Sequence, residues 1–246
     1  MEEFLLIIGG LLIGSISGFF GIGGGTVTVP YLLYMGYDIK TAIGISVMQM
    51  VAGSLMGAWI HRKKQTYNIS DIKYFGYGGI FGAIIGAILV GIIDGKYLGW
   101  LFLCIVFYTL LRLFLSTPSP SKPEVINHKL FALVGSGVGI FSGMLGVGGS
   151  ILMTPILVNY FGFALKKASA IGFFFVIFTS ISAFITFNLT GHIDISNGIL
   201  LTLASLAGVH LGIWTLHKTK DTNYKTLIII FYIIIFILTA NKLINS

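Results

Sequence analysis

Apolar residues run in ten blocks separated by short polar stretches: Phe4 to Phe20, Thr26 to Met35, Thr41 to Ile60, Ile72 to Ile93, Tyr97 to Ser116, Leu130 to Val147, Ser150 to Phe163, Ala168 to Leu189, Ile195 to Leu216 and Tyr224 to Ile244. Six of them hold about 20 residues, enough for a helix to cross ~30 Å of hydrocarbon at ~1.5 Å per residue. Thr26 to Met35 and Ser150 to Phe163 are too short for a full crossing. Each follows a cluster of glycines, so the first two blocks of each set of five read as a broken pair whose irregular backbone is shielded inside the protein.

The two sets are copies of one another. Ser17-Gly18-Phe19-Phe20-Gly21-Ile22-Gly23-Gly24 returns 125 residues later as Ser142-Gly143-Met144-Leu145-Gly146-Val147-Gly148-Gly149, with Pro30 and Pro155 downstream. At an offset of 126, Lys40 matches Lys166, Ala42 matches Ala168, Ile69-Ser70 matches Ile195-Ser196, and Gly82 and Gly86 match Gly208 and Gly212; Phe107-Tyr108 and Phe231-Tyr232 agree at 124. Between the copies, Thr117 to Glu124 carries Pro118, Pro120 and Pro123 and reads as a stiff, exposed linker. The expected organisation is a first repeat over 1–116, a linker over 117–129 and a second repeat over 130–246. A glycine-rich break duplicated in a membrane-like chain is the pattern of a duplicated transporter.

Charge chooses between topologies. If each broken pair enters and leaves on one side, the halves are inverted and the N-terminus is outside. Arg62, Lys63, Lys64, Lys73, Arg112, Lys122, Lys129, Lys166, Lys167, Lys218, Lys220 and Lys225 then face the cytoplasm, against Lys40, Lys96 and Lys242 outside, a split of 12 to 3. Parallel halves would give 8 to 7. The positive-inside rule favours inversion, with the linker cytoplasmic, and the same charges fit eight to ten membrane segments.

Composition removes other classes. Hydrophobic residues make up 56% and charged residues 9% of the chain, and mean hydropathy is +0.96, against ~25% charged residues in a soluble domain. The net charge of +7 lies in loops facing lipid headgroups, so lipid is the expected partner and nucleic acid is not. Cys104 is the only cysteine, which excludes an intramolecular disulfide and a cysteine metal site within one chain. Glu2 and Glu3 replace the basic start of a signal peptide, so the first segment is expected to be retained. Asn68-Ile69-Ser70 and Asn188-Leu189-Thr190 match the glycosylation sequon and read as chance matches.

The glycine clusters carry the chemistry. Gly23-Gly24-Gly25 and Gly148-Gly149-Ser150 let backbone approach a ligand and precede short segments that begin a helix, with Thr26 and Ser150 as expected caps. Helix N-termini inside a membrane present free N–H groups and partial positive charge, which suits an anion. All eight acidic residues fall outside the apolar blocks, which fits an anion site better than a cation site. The bland alternative is glycine-mediated helix packing, the reading preferred for Gly82, Gly86, Gly208 and Gly212. Candidate lining residues are Ser17, Gly21, Gly23, Gly24, Gly25, Thr26, Ser142, Gly146, Gly148, Gly149 and Ser150, with Ser46, Gln49 and Thr179 as neighbours. His210, set deep in a span, is the candidate for proton coupling, against a packing histidine. No nucleophile with a base, acid pair or metal-ligand cluster stands out, so neither an enzyme, a metal nor a cofactor is expected.

The run Gly-x-x-Ser-Gly-x-x-Gly-x-Gly-Gly-Gly, then Val29-Pro30, Lys40-x-Ala42-x-Gly44-x-Ser46 and His61, resembles the TauE/SafE sulfite exporter family, also called the toluene sulfonate uptake permease family. Gly139 through Pro155 to Ala168 resembles that family's second repeat. The resemblance implies a multi-pass inner-membrane permease for sulfur-containing anions such as sulfite, sulfonates or sulfoacetate, thought to be proton-linked. Ser150 in place of Gly25, and Ala170-Ile171-Gly172 in place of Gly44-Ile45-Ser46, make the half-sites unequal. The expectation is an all-helical membrane protein of two inverted repeats working by alternating access on a small anion. A passive anion channel, and less readily a membrane enzyme or assembly factor, are the alternatives. Oligomeric state is not readable.

Overall fold

Ten helices account for the apolar blocks among the described residues, which are 2–63, 69–115, 124–191 and 193–244 of a computed structural model. They are α1 (Glu2–Phe20), α2 (Gly25–Tyr34), α3 (Ile39–Lys63), α4 (Ile69–Ile92), α5 (Gly95–Leu115), α6 (His128–Leu145), α7 (Ser150–Phe161), α8 (Leu165–Thr190), α9 (Ile195–Lys218) and α10 (Asp221–Ile244). No strand occurs among the described residues. Eight are long and apolar enough to cross a membrane, whereas α2 with 10 residues and α7 with 12 reach about half of a ~30 Å bilayer core. Large apolar side chains such as Phe81, Phe107, Leu133, Leu203 and Ile237 are exposed along the long helices, as lipid-facing surfaces require.

Chemistry at the ends of the blocks sets the boundaries. The Asn127 side chain accepts the Leu130 N–H at 3.1 Å, so α6 starts inside the expected linker of 117–129. The Val125 N–H is bonded to the Phe161 carbonyl and pins that part of the linker to the end of α7; Pro118, Pro120 and Pro123 lie outside the described residues. Gly162, in the left-handed region, ends α7, and Asp194 caps α9 by accepting the Asn197 N–H.

The repeats interlock rather than sitting as separate bodies. Helix α1 lies against α9 so closely that a Cβ on Gly10, Gly14 or Gly18 would meet the carbonyls of Leu201, Ser205 or Val209, in that order. Both chains therefore run in the same direction. The same register joins α6 to α4, where Gly135, Gly139 and Gly143 meet Phe75, Gly79 and Ala83. Gly208 and Gly212 press back on Leu11 and Ser15, and Gly82 and Gly86 on Ser136 and Ile140, so these glycines pack helices as expected. Each of these glycine contacts in one pair has its counterpart in the other at offsets of 125 and 126. One hydrophobic core runs through both repeats, from Leu6 to Ile235.

The offset of 126 continues into the last helix and corrects the match at 124. Phe107 is 52% exposed and Tyr108 is exposed, whereas Phe231 and Tyr232 are buried. The buried residues Leu98, Phe102, Ile105 and Val106 of α5 correspond instead to Tyr224, Ile228, Phe231 and Tyr232 of α10. The repeated Phe-Tyr dipeptide therefore occupies different faces of the two helices.

Charges divide between the ends. Arg112 donates to the Tyr160 hydroxyl, Lys167 pairs with Glu124 at 2.8 Å, Lys166 bonds the Thr219 carbonyl and Lys225 the Phe114 carbonyl. These bonds tie the ends of α5, α7 and α9 to the starts of α8 and α10 in one basic rim. At the other end Lys40 reaches the Gly91 carbonyl, and Asp38, Lys96 and Lys242 border one cavity of about 830 Å³.

Candidate functional site

Two backbone breaks make the site. After α1 the chain takes positive φ at Gly21, Gly23 and Gly24, and after α6 at Gly146, Gly148 and Gly149. Gly24 (φ 90°) and Gly149 (φ 71°) are the residues from which α2 and α7 start, in a conformation that side-chain-bearing residues adopt at a cost. Neither helix start has a side-chain cap. This corrects the expectation for Thr26 and Ser150, which are the second and first helical residues and whose hydroxyls bond nothing among the described residues. The Gly24 carbonyl takes the N–H groups of Val27 and Thr28, and the Gly149 carbonyl those of Leu152 and Met153. The amides before them, Gly25 and Thr26 in one copy and Ser150 and Ile151 in the other, have no acceptor among the described residues.

The breaks meet at the middle of the long helices. A Cβ on Gly23 would be 3.1 Å from the Val176 methyls, and one on Gly148 2.9 Å from the same methyls and 3.0 Å from Met50 Sδ. Met50 and Val176, 126 residues apart, are each the twelfth residue of their helix, α3 with 25 and α8 with 26. Gly25 lies against the Gly146 carbonyl and the Val147 Cα, and Gly172 lies between the Gly21 carbonyl and Ser150. Ser46 Oγ donates to the Gly146 carbonyl at 2.7 Å, and Thr179 Oγ1 to that of Gly148 at 3.3 Å.

Around this meeting point Ser17, Thr26, Ser142, Ser150 and Thr154 hydroxyls and Gln49 Oε1 are buried without a hydrogen-bond partner among the described residues. Each such group costs about 1–3 kcal/mol unless something else bonds it. Six of them beside two uncapped helix starts form a polar, uncharged site able to accept oxygen atoms at its amides and hydroxyls. Gln49 Nε2 donates to Ser205 Oγ on α9 at 3.2 Å, which leaves its Oε1 over Gly24. At the equivalent place over Gly149 stands the edge of the Phe175 ring, 2.6 Å from where a Cβ would be. No group of three or more His, Cys, Asp or Glu gathers among the described residues. The residues around the breaks are buried, and the 830 Å³ cavity near Trp100 and a cavity of about 330 Å³ between Ser15, Phe19 and Leu211 do not touch them.

Residues 6–239 match the family described as sulfite exporter TauE/SafE. The chain belongs to that family. It is similar to a probable membrane transporter protein of Haemophilus influenzae, 30% identical over 84% of this chain and 80% of that protein. A probable membrane transporter protein of Methanocaldococcus jannaschii is likewise 30% identical, over 91% of this chain and 90% of its own. The probable membrane transporter protein YunE of Bacillus subtilis is 24% identical over 97% of this chain and 96% of its own. Family and relatives alike group this TauE/SafE member with membrane transporters.

Of the expected lining residues in this TauE/SafE chain, Ser17, Gly21, Gly23, Gly24, Gly25, Thr26, Ser46, Gln49, Ser142, Gly146, Gly148, Gly149, Ser150 and Thr179 are all buried and gathered around the two breaks. His210 is not among them. It is exposed on α9, next to Val209, which turns inward against Gly18, so the expected deep-set histidine faces outward instead. The His61 side chain of the family motif lies outside the described residues. Met50, Phe175 and Val176 were missed as apolar helix positions, whereas Gly172 was read opposite Ser46 as a difference between the half-sites. The offset of 126 pairs Met50 with Val176 and Gln49 with Phe175, and that pairing was the available signal.

Proposed function

We propose that this chain is a secondary transporter for small sulfur-containing anions such as sulfite, sulfonates or sulfoacetate, with the two glycine breaks as its binding site. The observation that carries the reading is the pair of uncapped helix starts, α2 and α7, ringed by buried hydroxyls without partners among the described residues. An oxyanion satisfies free N–H and O–H donors together, and partial positive charge at two helix starts favours it without a cation nearby. The tight packing of the site belongs to an occluded stage of alternating access, in which a ligand enters after the halves separate.

Two inverted halves suit this mechanism. The shared direction of α1 with α9 and of α6 with α4 is the reciprocal pairing of two related halves, and the support for inversion is the 12-to-3 split of basic residues that it gives between the two faces. The basic rim is the cytoplasmic face by the positive-inside rule, which puts the cavity near Trp100 outside, in a cell (inner) membrane.

Purified protein in liposomes tests the reading. Saturable uptake of sulfite, thiosulfate, sulfoacetate or taurine, stronger than that of carboxylates without sulfur, is expected, and a pH gradient that alters the rate marks proton coupling. Unsaturated ohmic current makes the protein a channel. Saturable flux of non-sulfur carboxylates alone removes the proposed substrate class.

A further inference from the structure

The two breaks are sealed differently at their outer ends. Gly21 packs on Ser169, near the start of α8, with a Cβ position 2.6 Å from Ser169 Cβ and 2.8 Å from its carbonyl. Gly146 packs in the same way on Ile43, near the start of α3. On the Gly21 side the fully buried Tyr224 donates its hydroxyl proton to the Phe20 carbonyl at 2.8 Å and lies 2.7 Å from Ser169 Oγ. Each hydroxyl has one proton: Ser169 gives its own to Tyr224 or to the Leu165 carbonyl at 3.1 Å, and in the first, shorter arrangement the chain runs Ser169 to Tyr224 to Phe20. Phe20 also stacks on Phe231 at 4.8 Å, and Phe19 lies 5.7 Å from the Tyr224 ring. On the Gly146 side the equivalent positions are Ile43, Leu98 and Leu145, all buried and all apolar.

We propose that Tyr224, held by Ser169, is the latch of the gate at the basic end, bonding the last carbonyl of α1 and closing the glycine breaks toward that face. The opposite gate, built on Ile43, Leu98 and Leu145, has apolar side chains at these positions, and its break is held from α3 by the Ser46 bond to the Gly146 carbonyl. Opening the basic end separates α1 from α10 and breaks the Tyr224 bond, whereas the position equivalent to Tyr224 at the other end, Leu98, has no side-chain bond to break. Phe20 ends α1 immediately before the Gly21 hinge, so a bond to its carbonyl holds the break itself. This inference rests on the transport reading of the site, but its test needs no transported substrate.

The reporter is Ile22→Cys, a fully buried position between Gly21 and Gly23, in a Cys104→Ala background, labelled with a small charged thiol reagent from either face of oriented vesicles. Tyr224→Phe keeps the ring and removes the hydroxyl. Labelling from the basic face is expected to quicken by about tenfold in Tyr224→Phe and by a smaller factor in Ser169→Ala, with labelling from the opposite face unchanged. Unchanged rates at both faces, or equal increases at both, overturn the latch. Should Tyr224→Phe fail to reach the membrane, Ser169→Ala decides the matter by the same comparison. If the labelling shifts as stated while vesicles carry none of the tested anions, the latch stands and the transport reading falls.

Discussion

The break after α1 and the break after α6 share a backbone and differ in what covers them. Over Gly24 lies the amide of Gln49, anchored to Ser205 with its oxygen unpaired; over Gly149 lies the ring of Phe175. Ser46 donates to the Gly146 carbonyl, whereas the equivalent Gly172 offers the Gly21 carbonyl only a hydrogen. Duplication supplied two similar helix starts, and divergence gave one a polar cover and the other an apolar one. On the proposed transport reading, an anion's oxygen atoms meet the second N–H of Gln49 Nε2 and any organic group faces Phe175.

The largest expected effect comes from exchanging Gly25 and Ser150, the pair at which the copies differ at the helix start. Gly25→Ser drives a side chain into the Gly146 carbonyl, while Ser150→Gly removes a side chain already accommodated. Gly25→Ser should abolish flux and lower stability by an amount near the top of the ~1–3 kcal/mol range for overpacking, and Ser150→Gly should fold and retain measurable flux. Thermal unfolding in detergent alongside liposome uptake checks both. Equal behaviour of the two variants would mean that the breaks are not packed against each other.

Next in size, Gln49→Leu should cut uptake by more than about tenfold, the consequence of losing the second N–H of Gln49 Nε2 in a buried site. Phe175→Leu should retain most uptake of the smallest anions and change the preference among larger ones. Competition assays with sulfite and an aromatic sulfonate read this difference.

A smaller and more diagnostic effect is expected at the unpaired hydroxyls. Ser17→Ala and Ser142→Ala remove buried groups that bond nothing, so stability should hold or rise by up to about 1 kcal/mol while uptake falls several-fold. A loss of stability would mean that these hydroxyls serve the fold rather than a ligand.

The smallest effect lies far from the breaks, at Asp38. Partial burial pushes its carboxyl upward, but the Thr41 hydroxyl and the amides of Thr41 and Lys40 donate to it and leave it below the usual carboxylate value. A lowered folded value contributes stability that is present above the unfolded carboxylate pKa of ~3.9 and lost as pH falls through the folded value. Asp38→Asn should reduce stability slightly at neutral pH and flatten the acid limb below about pH 4, with no change in uptake at neutral pH. Acid-dependent unfolding curves of the two proteins check it.

Much of this architecture was readable along the chain because hydrocarbon is a strict solvent. A continuous apolar run of about 20 residues has one outcome there, and the observed helices fall within a few residues of the apolar blocks. The glycine breaks were readable because positive φ at Gly24 and Gly149 demands glycine. Three features were not. The caps were placed on Thr26 and Ser150, since a hydroxyl near a helix start is the usual cap and nothing local reveals that it is left unpaired. His210 was a candidate for proton coupling from its depth in a span, and its outward face was not readable, because in a helix apolar on all sides the lipid face cannot be told from the protein face by hydrophobicity. The Phe-Tyr dipeptide suggested a register that burial overrules.

What the sequence determined by itself is the membrane class, the duplication, the two breaks and the family, all local or periodic properties written in residue type and spacing. Which helix lies beside which was decided only in three dimensions: α1 lies beside α9, α6 beside α4, and both breaks meet at Met50 and Val176. The reason is physical. In lipid no hydrophobic force sorts one apolar helix from another, so partners are chosen by close backbone contact at glycines and by a few hydrogen bonds, and these depend on shape across residues far apart in the chain.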